Sequence, residues 1–204
     1  MKTYVWWRIL TSAGVLLASV VGAVVVGAAP ASAAPRANRV AADFAYIWNC
    51  PTGVTGCSSV QGRVGDIRRA DPMTDVCRVD GNDMNLAYNR ATSTPGGPER
   101  TGFLYRSNLQ TPGLQGDSCR TGGVAASAPS GTLQRLCAYT ACGRTGAVTG
   151  SSTIRTFCDR FINNHRWVLT TVFGANGGPM TAGFIDVDDF NNVAGLLPDC
   201  DNPL

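Results

Sequence analysis

The sequence is poor in the side chains that most hydrolytic sites need: His165 is its single histidine, Glu99 its single glutamate and Lys2 its single lysine. Zinc and Cys/His hydrolases require histidine together with further ligands or a free thiol, and a pair of glutamates for acid–base catalysis is absent. We therefore expect no catalytic site, no metal and no cofactor. His165 is expected to be a solvent-facing turn residue.

Long hydrophobic runs are also missing, except at the N-terminus. There, Lys2 and Arg8 precede an apolar run from Ile9 to Ala29, and the small-residue sequence Ala31-Ser32-Ala33 follows. This pattern predicts a secretory signal peptide over residues 1–33. A single membrane anchor is the alternative, which the immediate Ala-x-Ala site disfavours. The protein is thus expected to be secreted, extracellular or cell-wall associated, with no membrane attachment after cleavage.

The chain that follows Ala33 carries little net charge. It contains 15 arginines, no lysine and 14 acidic residues, which leaves a formal charge near +1. A nearly neutral chain offers no electrostatic basis for binding nucleic acid or an anionic membrane surface.

All eight cysteines lie after residue 33. An even number in an exported chain predicts disulfide bonds, and the absence of Cys-x-x-Cys pairs disfavours a zinc site.

A short motif occurs twice, as GGPERTGF at 96–103 and as GGPMTAGF at 177–184. When the chain is aligned with itself so that Gly62 meets Gly143, it matches without a gap from Gly62 to Cys119, and upstream Val40-Ala41-Ala42 matches Val124-Ala125-Ala126 after short gaps. A period of about 80 residues indicates a duplicated domain rather than a solenoid unit. We predict a linker at 34–39, a first copy at 40–119 and a second at 120–204.

Within each copy the apolar segments are short and separated by turn residues. Segments such as WVLTTVF (167–173) are rich in aromatic and β-branched residues, and no amphipathic helical stripe appears. The pattern predicts an all-β fold built as a small barrel or sandwich.

Cysteine spacing suggests a pairing. Four cysteines in a copy permit three connectivities. The 42-residue spacing common to both copies suggests Cys77–Cys119 and Cys158–Cys200, which leaves Cys50–Cys57 and Cys137–Cys142 as local bridges.

The order of short motifs resembles a known family. The first copy contains WNCPTGVTGC, GRVG, MTDVC, NLAYN and RTGFLYRSNL, and the second LCAYTAC, GRTGAV, IRTFC, RWVLT and TAGFIDVDDF. This order is similar to the disulfide-bearing bacterial SH3-like (SH3b) domains of secreted actinobacterial proteins. The resemblance covers about Val40 to Cys200 and implies two small SH3-like β-barrels in tandem. The family's central tryptophan is matched by Trp167 and replaced by Leu86, and its closing tyrosine by Phe103 and Phe184.

The resemblance also implies a ligand class, namely peptidoglycan peptide segments of the cell wall. SH3-like barrels bind between loops lined with aromatic residues, and our candidate ligand-binding residues are Tyr46, Trp48 and Tyr105. Tyr46 and Trp48 alternate along one segment and so share one strand face. The acidic run DVDD (186–189) lacks the glycine and glutamate of a helix-loop-helix calcium loop and is expected to be a solvated strand end.

Two functions remain open at this stage. The first is a non-enzymatic tandem SH3b protein that binds cell-wall peptidoglycan, and the second is a secreted protein-binding module such as an inhibitor or accessory factor. In either case, Phe103 and Phe184 are expected to point into separate cores, one in each copy.

Overall fold

The computed structural model describes residues 34–51, 62–69, 71–90, 100–113, 116–174, 180–193 and 195–203. All of these residues belong to one compact unit, which lies within Ala31–Leu204. The predicted signal peptide therefore lies outside the described residues. Within them, no helix has the length and apolar character needed to cross a membrane.

The described segments form an all-β structure with no α-helix. The first sheet contains β1 (Arg36–Asn38), β2 (Phe44–Trp48), β3 (Arg63–Arg68), β4 (Met73–Arg78), β5 (Met84–Asn89) and β6 (Thr101–Tyr105). The second contains β7 (Val124–Ala126), β8 (Leu133–Arg135), β9 (Arg144–Ala147), β10 (Thr153–Ile162), β11 (His165–Phe173) and β12 (Met180–Asp186). Single 3-10 turns, Arg106–Asn108 and Val187–Asp189, follow β6 and β12.

The two sheets repeat one topology. Their strand orders are β1-β4-β5-β6-β2-β3 and β7-β10-β11-β12-β8-β9, and every pairing is antiparallel. A bulge occurs at matching positions, between Asp75 and Cys77 and between Thr156 and Cys158. The duplication predicted from the sequence is thus visible in the structure. The expected closed barrels are not: each sheet is open, because its two edge strands do not pair with each other among the described residues.

The structural register corrects the gapless alignment. Cys77 lies opposite Leu86, and Cys158 lies opposite Leu169, so the two leucines occupy equivalent positions. The sequence separation between these leucines is larger than that between the two cysteines. The β10–β11 hairpin is two residues longer than β4–β5, and the following connection is shorter by the same amount. Trp167 is consequently the equivalent of Met84 rather than of Leu86.

The extra length in the second copy ends in a tight turn. Ile162 pairs with His165, and Asn163 and Asn164 adopt φ values of 52° and 65°. Two successive left-handed residues are typical of a two-residue type I′ hairpin, and asparagine tolerates that conformation better than most residues.

The segment expected to be a linker, 34–39, contains a strand. Arg36–Asn38, expected to be part of a linker, forms β1 and pairs with Met73–Asp75 of β4. Val124–Ala126 pairs with the equivalent part of β10. Arg36–Asn38, and not Val40–Ala42, is therefore the counterpart of Val124–Ala126.

The two sheets share one hydrophobic cluster. Because strand residues alternate between faces, Leu86 and Phe103 of the first sheet point into the same cluster as Leu169 and Phe184 of the second. The opposite faces carry smaller clusters of their own, around Ile47 in the first copy and around Ile185, Val172 and Ile154 in the second. The expectation of separate cores for Phe103 and Phe184 is therefore wrong, although both side chains are fully buried.

Each copy also places its C-terminal residues on the other copy. The Thr171 hydroxyl donates to the Cys119 carbonyl at 2.7 Å, and the Thr74 hydroxyl donates to the Cys200 carbonyl at 2.8 Å. We call the C-terminal segments that make these contacts, at Cys119 and at Cys200, the exchanged tails. They bury the last disulfide of each copy against its partner sheet, since Cys119 and Cys200 are both fully buried.

One side of this interface is charged. Arg160, almost fully buried, forms an ion pair with Asp201 at 2.7 Å and donates a hydrogen bond to the Tyr88 hydroxyl. Arg90 donates to the Asp201 carbonyl at 2.6 Å. On the equivalent other side, the Arg120 guanidinium lies 5.2 Å from the centre of the Phe173 ring.

Three of the four predicted disulfides are confirmed: Cys77–Cys119, Cys137–Cys142 and Cys158–Cys200. The fourth, Cys50–Cys57, lies outside the described residues because residue 57 is not described, although Cys50 itself is disulfide-bonded.

The repeated Gly-Phe pair has a structural explanation. A Cβ atom on Gly102 would collide with the Trp48 carbonyl oxygen, and one on Gly183 would lie 2.7 Å from the Arg135 carbonyl oxygen. Both glycines let the neighbouring strand in the sheet, β2 or β8, lie close to β6 or β12. Gly102 and Gly183 therefore serve a close approach within a strand, and the Gly-Gly-Pro segments themselves lie outside the described residues.

Replacing Gly183 by alanine should lower the free energy of unfolding by about 1–3 kcal/mol, the range for overpacking a filled site. Gly150→Ala is the matched control, because nothing lies within 4 Å of a Cβ atom there. Denaturant titration of both variants provides the measurement. Equal midpoints for the two would show that β8 moves aside without cost.

Candidate functional site

The first copy carries an exposed aromatic groove beside β2 and β3. Phe44 and Tyr46 are 50% and 36% exposed, and their ring centroids lie 5.1 Å apart. The Arg63 guanidinium stacks over the Tyr46 ring, 3.3 Å from its centroid. The groove is a shallow, open depression of about 350 Å³, lined by Asp43, Phe44, Tyr46, Arg63, Asp66 and Arg68. We call it the aromatic–arginine groove.

The strand pattern explains why these rings are exposed. Along β2 the side chains of Ala45 and Ile47 are buried in the cluster of the first copy, so the alternate residues point away from it. A strand of alternating burial normally exposes polar side chains. Two adjacent exposed aromatic rings are therefore the unusual feature of β2.

The three residues predicted to bind a ligand lie in different environments. Tyr46 is in the aromatic–arginine groove. Trp48 is partly buried against the cluster shared by the two sheets. Tyr105, 36% exposed, ends β6. Trp48 lies opposite Phe103 in the antiparallel pair β2–β6. Two residues further along the two strands, Tyr46 and Tyr105 are therefore opposite each other. Tyr46 and Tyr105 thus remain candidates for one surface, whereas Trp48 mainly packs.

A second cavity, of about 240 Å³, lies in the second copy at the end of the β10–β11 hairpin. Its lining consists of Tyr139, Thr140, Ile162, Asn163, His165, Trp167 and Asp186. We call it the His165 cavity. Asp186 pairs with Trp167 across β11 and β12, and His165 lies two residues from Trp167 on the same face. His165 Nδ1 is 3.3 Å from Asp186 Oδ2.

The residues after Asp186 add two further carboxylates. In the 3-10 turn the Asp188 amide donates to Asp186 Oδ1 at 3.2 Å. Partial burial, followed by the neighbouring charges of Asp186 and Asp188, raises the pKa of Asp189 above its ordinary value. The predicted solvated strand end is therefore a folded turn that keeps several carboxylates close together.

From the sequence, a site joining His165 to Asp186, Asp188 or Asp189 is formally possible, but a solvent-facing turn histidine is the preferred interpretation. The histidine and the two aspartates are well separated in the chain, and only the β11–β12 register brings them together. The gapless alignment places His165 on Met84. It therefore concealed that the shorter β4–β5 hairpin of the first copy has no strand residue equivalent to His165.

A buried carboxylate lies elsewhere in the first copy. Asp75, with no exposed surface, accepts hydrogen bonds from the Asn85 and Asn38 side-chain amides at 2.9 and 3.2 Å. Burial raises the pKa of Asp75 to about 6, while the two asparagines and Arg106 lower it in part. It joins β1 to the sheet and takes no part in either cavity.

In the part of the chain that the structure describes, these features define a duplicated, disulfide-bonded, all-β architecture with an exposed aromatic groove and a histidine–aspartate cavity. In comparison with known proteins, no family model, no curated protein and no solved structure matches the chain.

Proposed function

We propose that this chain is a secreted, non-enzymatic binding protein made of two SH3-like copies, and that it recognises peptidoglycan peptides of the cell wall. The aromatic–arginine groove is the observation that carries the proposal. Exposed aromatic side chains and arginine are the residues most enriched in energetically important binding contacts. Here Phe44, Tyr46 and Arg63 lie together on a surface that the fold does not need to bury.

The charges around the groove fit such a ligand. Peptidoglycan peptides carry carboxylates, amines and short apolar side chains. Arg63 and Arg68 can pair with the carboxylates, Asp43 and Asp66 with the amines, and the two rings offer apolar contact. Arg63 is already held over Tyr46, which reduces the entropy lost when it binds an anion.

A binding role also agrees with the state of the cysteines. Every cysteine that the structure describes is disulfide-bonded and so is not a free nucleophile.

Replacing Tyr46 by alanine is expected to weaken binding to purified peptidoglycan by tenfold or more, since truncating a central aromatic contact costs about 2 kcal/mol. The free energy of unfolding should fall by only about 1 kcal/mol, because the ring lies outside the core and its contacts are those with Phe44 and Arg63. Co-sedimentation of the tag-free protein with insoluble peptidoglycan measures the first quantity, and thermal unfolding the second.

Phe161→Ala is the matched control, because it also removes an exposed ring but in the second copy, where Phe161 is 71% exposed. It should leave sedimentation unchanged. Wild-type protein that fails to sediment would rule out the wall ligand and favour the second candidate, a secreted module that binds another protein through the same groove. Equal losses for both variants would assign binding to general surface hydrophobicity.

A further inference from the structure

The His165 cavity has the features of a cation site that the proposed wall-binding function does not use. One ligand atom from each of His165, Asp186 and Asp188 lies within 4.8 Å of the other two. We propose that these three side chains bind a divalent transition-metal ion of the Zn²⁺ type.

The distances suit a shared ion. Ligand atoms at about 2.1 Å from a tetrahedral Zn²⁺ lie about 3.4 Å from each other. His165 Nδ1 and Asp186 Oδ2 are 3.3 Å apart. Asp188 reaches the same point through a modest side-chain rotation, since its side chain is exposed and its backbone is fixed by the hydrogen bond to Asp186.

The donor types select the class of metal. Imidazole nitrogen favours zinc and its first-row neighbours, whereas Mg²⁺ and Ca²⁺ prefer sites built of oxygen atoms alone. Three protein ligands also leave a coordination position open, and His165 is more than half exposed, so a water molecule or an outside ligand has access to it.

The scaffold holds two of the ligands rigidly. Asp186 is at the end of β12 opposite Trp167, and its side chain is only 15% exposed. His165 begins β11 directly after the Asn163–Asn164 turn, which the hairpin pairing fixes. These two ligands therefore come from paired strands, and such placement favours precise metal geometry, while Asp188 lies in the 3-10 turn that follows β12.

The first copy acts as an internal comparison. The equivalents of Asp186 and Asp188 are Tyr105 and Ser107, and the shorter β4–β5 hairpin has no position for His165. The surrounding Gly-Phe strand is retained in both copies. The three ligands are thus confined to the second copy, and we expect one ion for each chain.

The test uses the mature protein without a histidine tag, so that His165 is its only imidazole. Calorimetric titration with ZnCl₂ at pH 7.5 should give one site, with much weaker binding of MgCl₂ and CaCl₂. In parallel, the single imidazole gives a single set of ring NMR signals, which should shift on addition of Zn²⁺ and stay unchanged with Mg²⁺.

Variants separate a three-ligand site from a lone histidine. His165→Ala, Asp186→Asn and Asp188→Asn should each weaken Zn²⁺ affinity by at least tenfold, the loss seen even for partners outside the coordination sphere. Ser107→Ala, at the equivalent of Asp188, should leave the affinity unchanged. Thermal unfolding without metal shows whether each variant is folded, and Asp188→Asn, which alters an exposed side chain, keeps the test valid if Asp186→Asn is unstable.

Two results would overturn the proposal. Unchanged Zn²⁺ affinity in Asp188→Asn and Asp186→Asn would mean that the imidazole binds alone. Zn²⁺ binding without a shift of the His165 signals would place the ion elsewhere on the protein.

Discussion

Replacing Phe184 by alanine should unfold both copies together, with a loss of about 3–5 kcal/mol in the free energy of unfolding. The side chain is fully buried, and its ring packs edge-to-face on Tyr88 of the first copy with centroids 5.3 Å apart. The cavity left by the substitution would therefore border both sheets. Such a loss is a large part of the roughly 5–15 kcal/mol that stabilises a typical domain.

The two tryptophans after residue 33 allow each copy to be followed separately. Trp167→Phe leaves Trp48 as the reporter of the first copy, and Trp48→Phe leaves Trp167 as the reporter of the second. In the Phe184→Ala background, both reporters should show one common, lowered midpoint in denaturant. Phe161→Ala, the same substitution at an exposed position of the same copy, should leave the midpoint nearly unchanged. If only the Trp167 transition moved, the copies would be independent domains.

As pH rises from 4 to 6, the free energy of unfolding should decrease because of Asp75. Its pKa is raised from 3.8 to about 6 in the folded protein. In that interval the folded state keeps a proton that the unfolded state has released, so the free energy of unfolding decreases as pH rises. The full difference corresponds to about 3 kcal/mol, present below pH 4 and lost above pH 6.

Asp75→Asn removes this titration and should abolish the corresponding fall. We expect the wild type to lose about 3 kcal/mol relative to the variant as pH rises from 4 to 6, measured by denaturant unfolding at each pH. Asp43→Asn, which alters a side chain that is 91% exposed, is the control and should follow the wild type. Parallel profiles for wild type and Asp75→Asn would mean that Asp75 titrates normally.

The features that could be predicted from the sequence are those set by local chemistry. The 42-residue spacing suggested the pairs Cys77–Cys119 and Cys158–Cys200, which the structure confirms, and the repeated Gly-Phe pair correctly indicated a buried phenylalanine. Short segments rich in aromatic and β-branched residues, separated by turn residues, were sufficient to predict an all-β fold.

The features that were missed depend on contacts between distant segments. Alternation shows that Phe103 and Phe184 are buried, but it does not show that both face one shared cluster. The longer hairpin at Asn163–Asn164 was concealed because the following connection is shorter by the same two residues. Without that register, the equivalence of Trp167 with Met84 could not be found, and a site joining His165 to Asp186 was only a formal possibility.

The exchanged tails give the chain the character of a symmetric dimer joined into one polypeptide. Cys119 and Cys200 use equivalent positions toward the opposite sheet, as the two subunits of a two-fold dimer would. In a homodimer every substitution appears twice, on both sides of the axis. In this chain each half changes alone, so Asp201 faces Arg90 and Arg160 on one side while its counterpart Arg120 faces Phe173 on the other. The same freedom lets one half present the aromatic–arginine groove and the other the His165 cavity on a common framework.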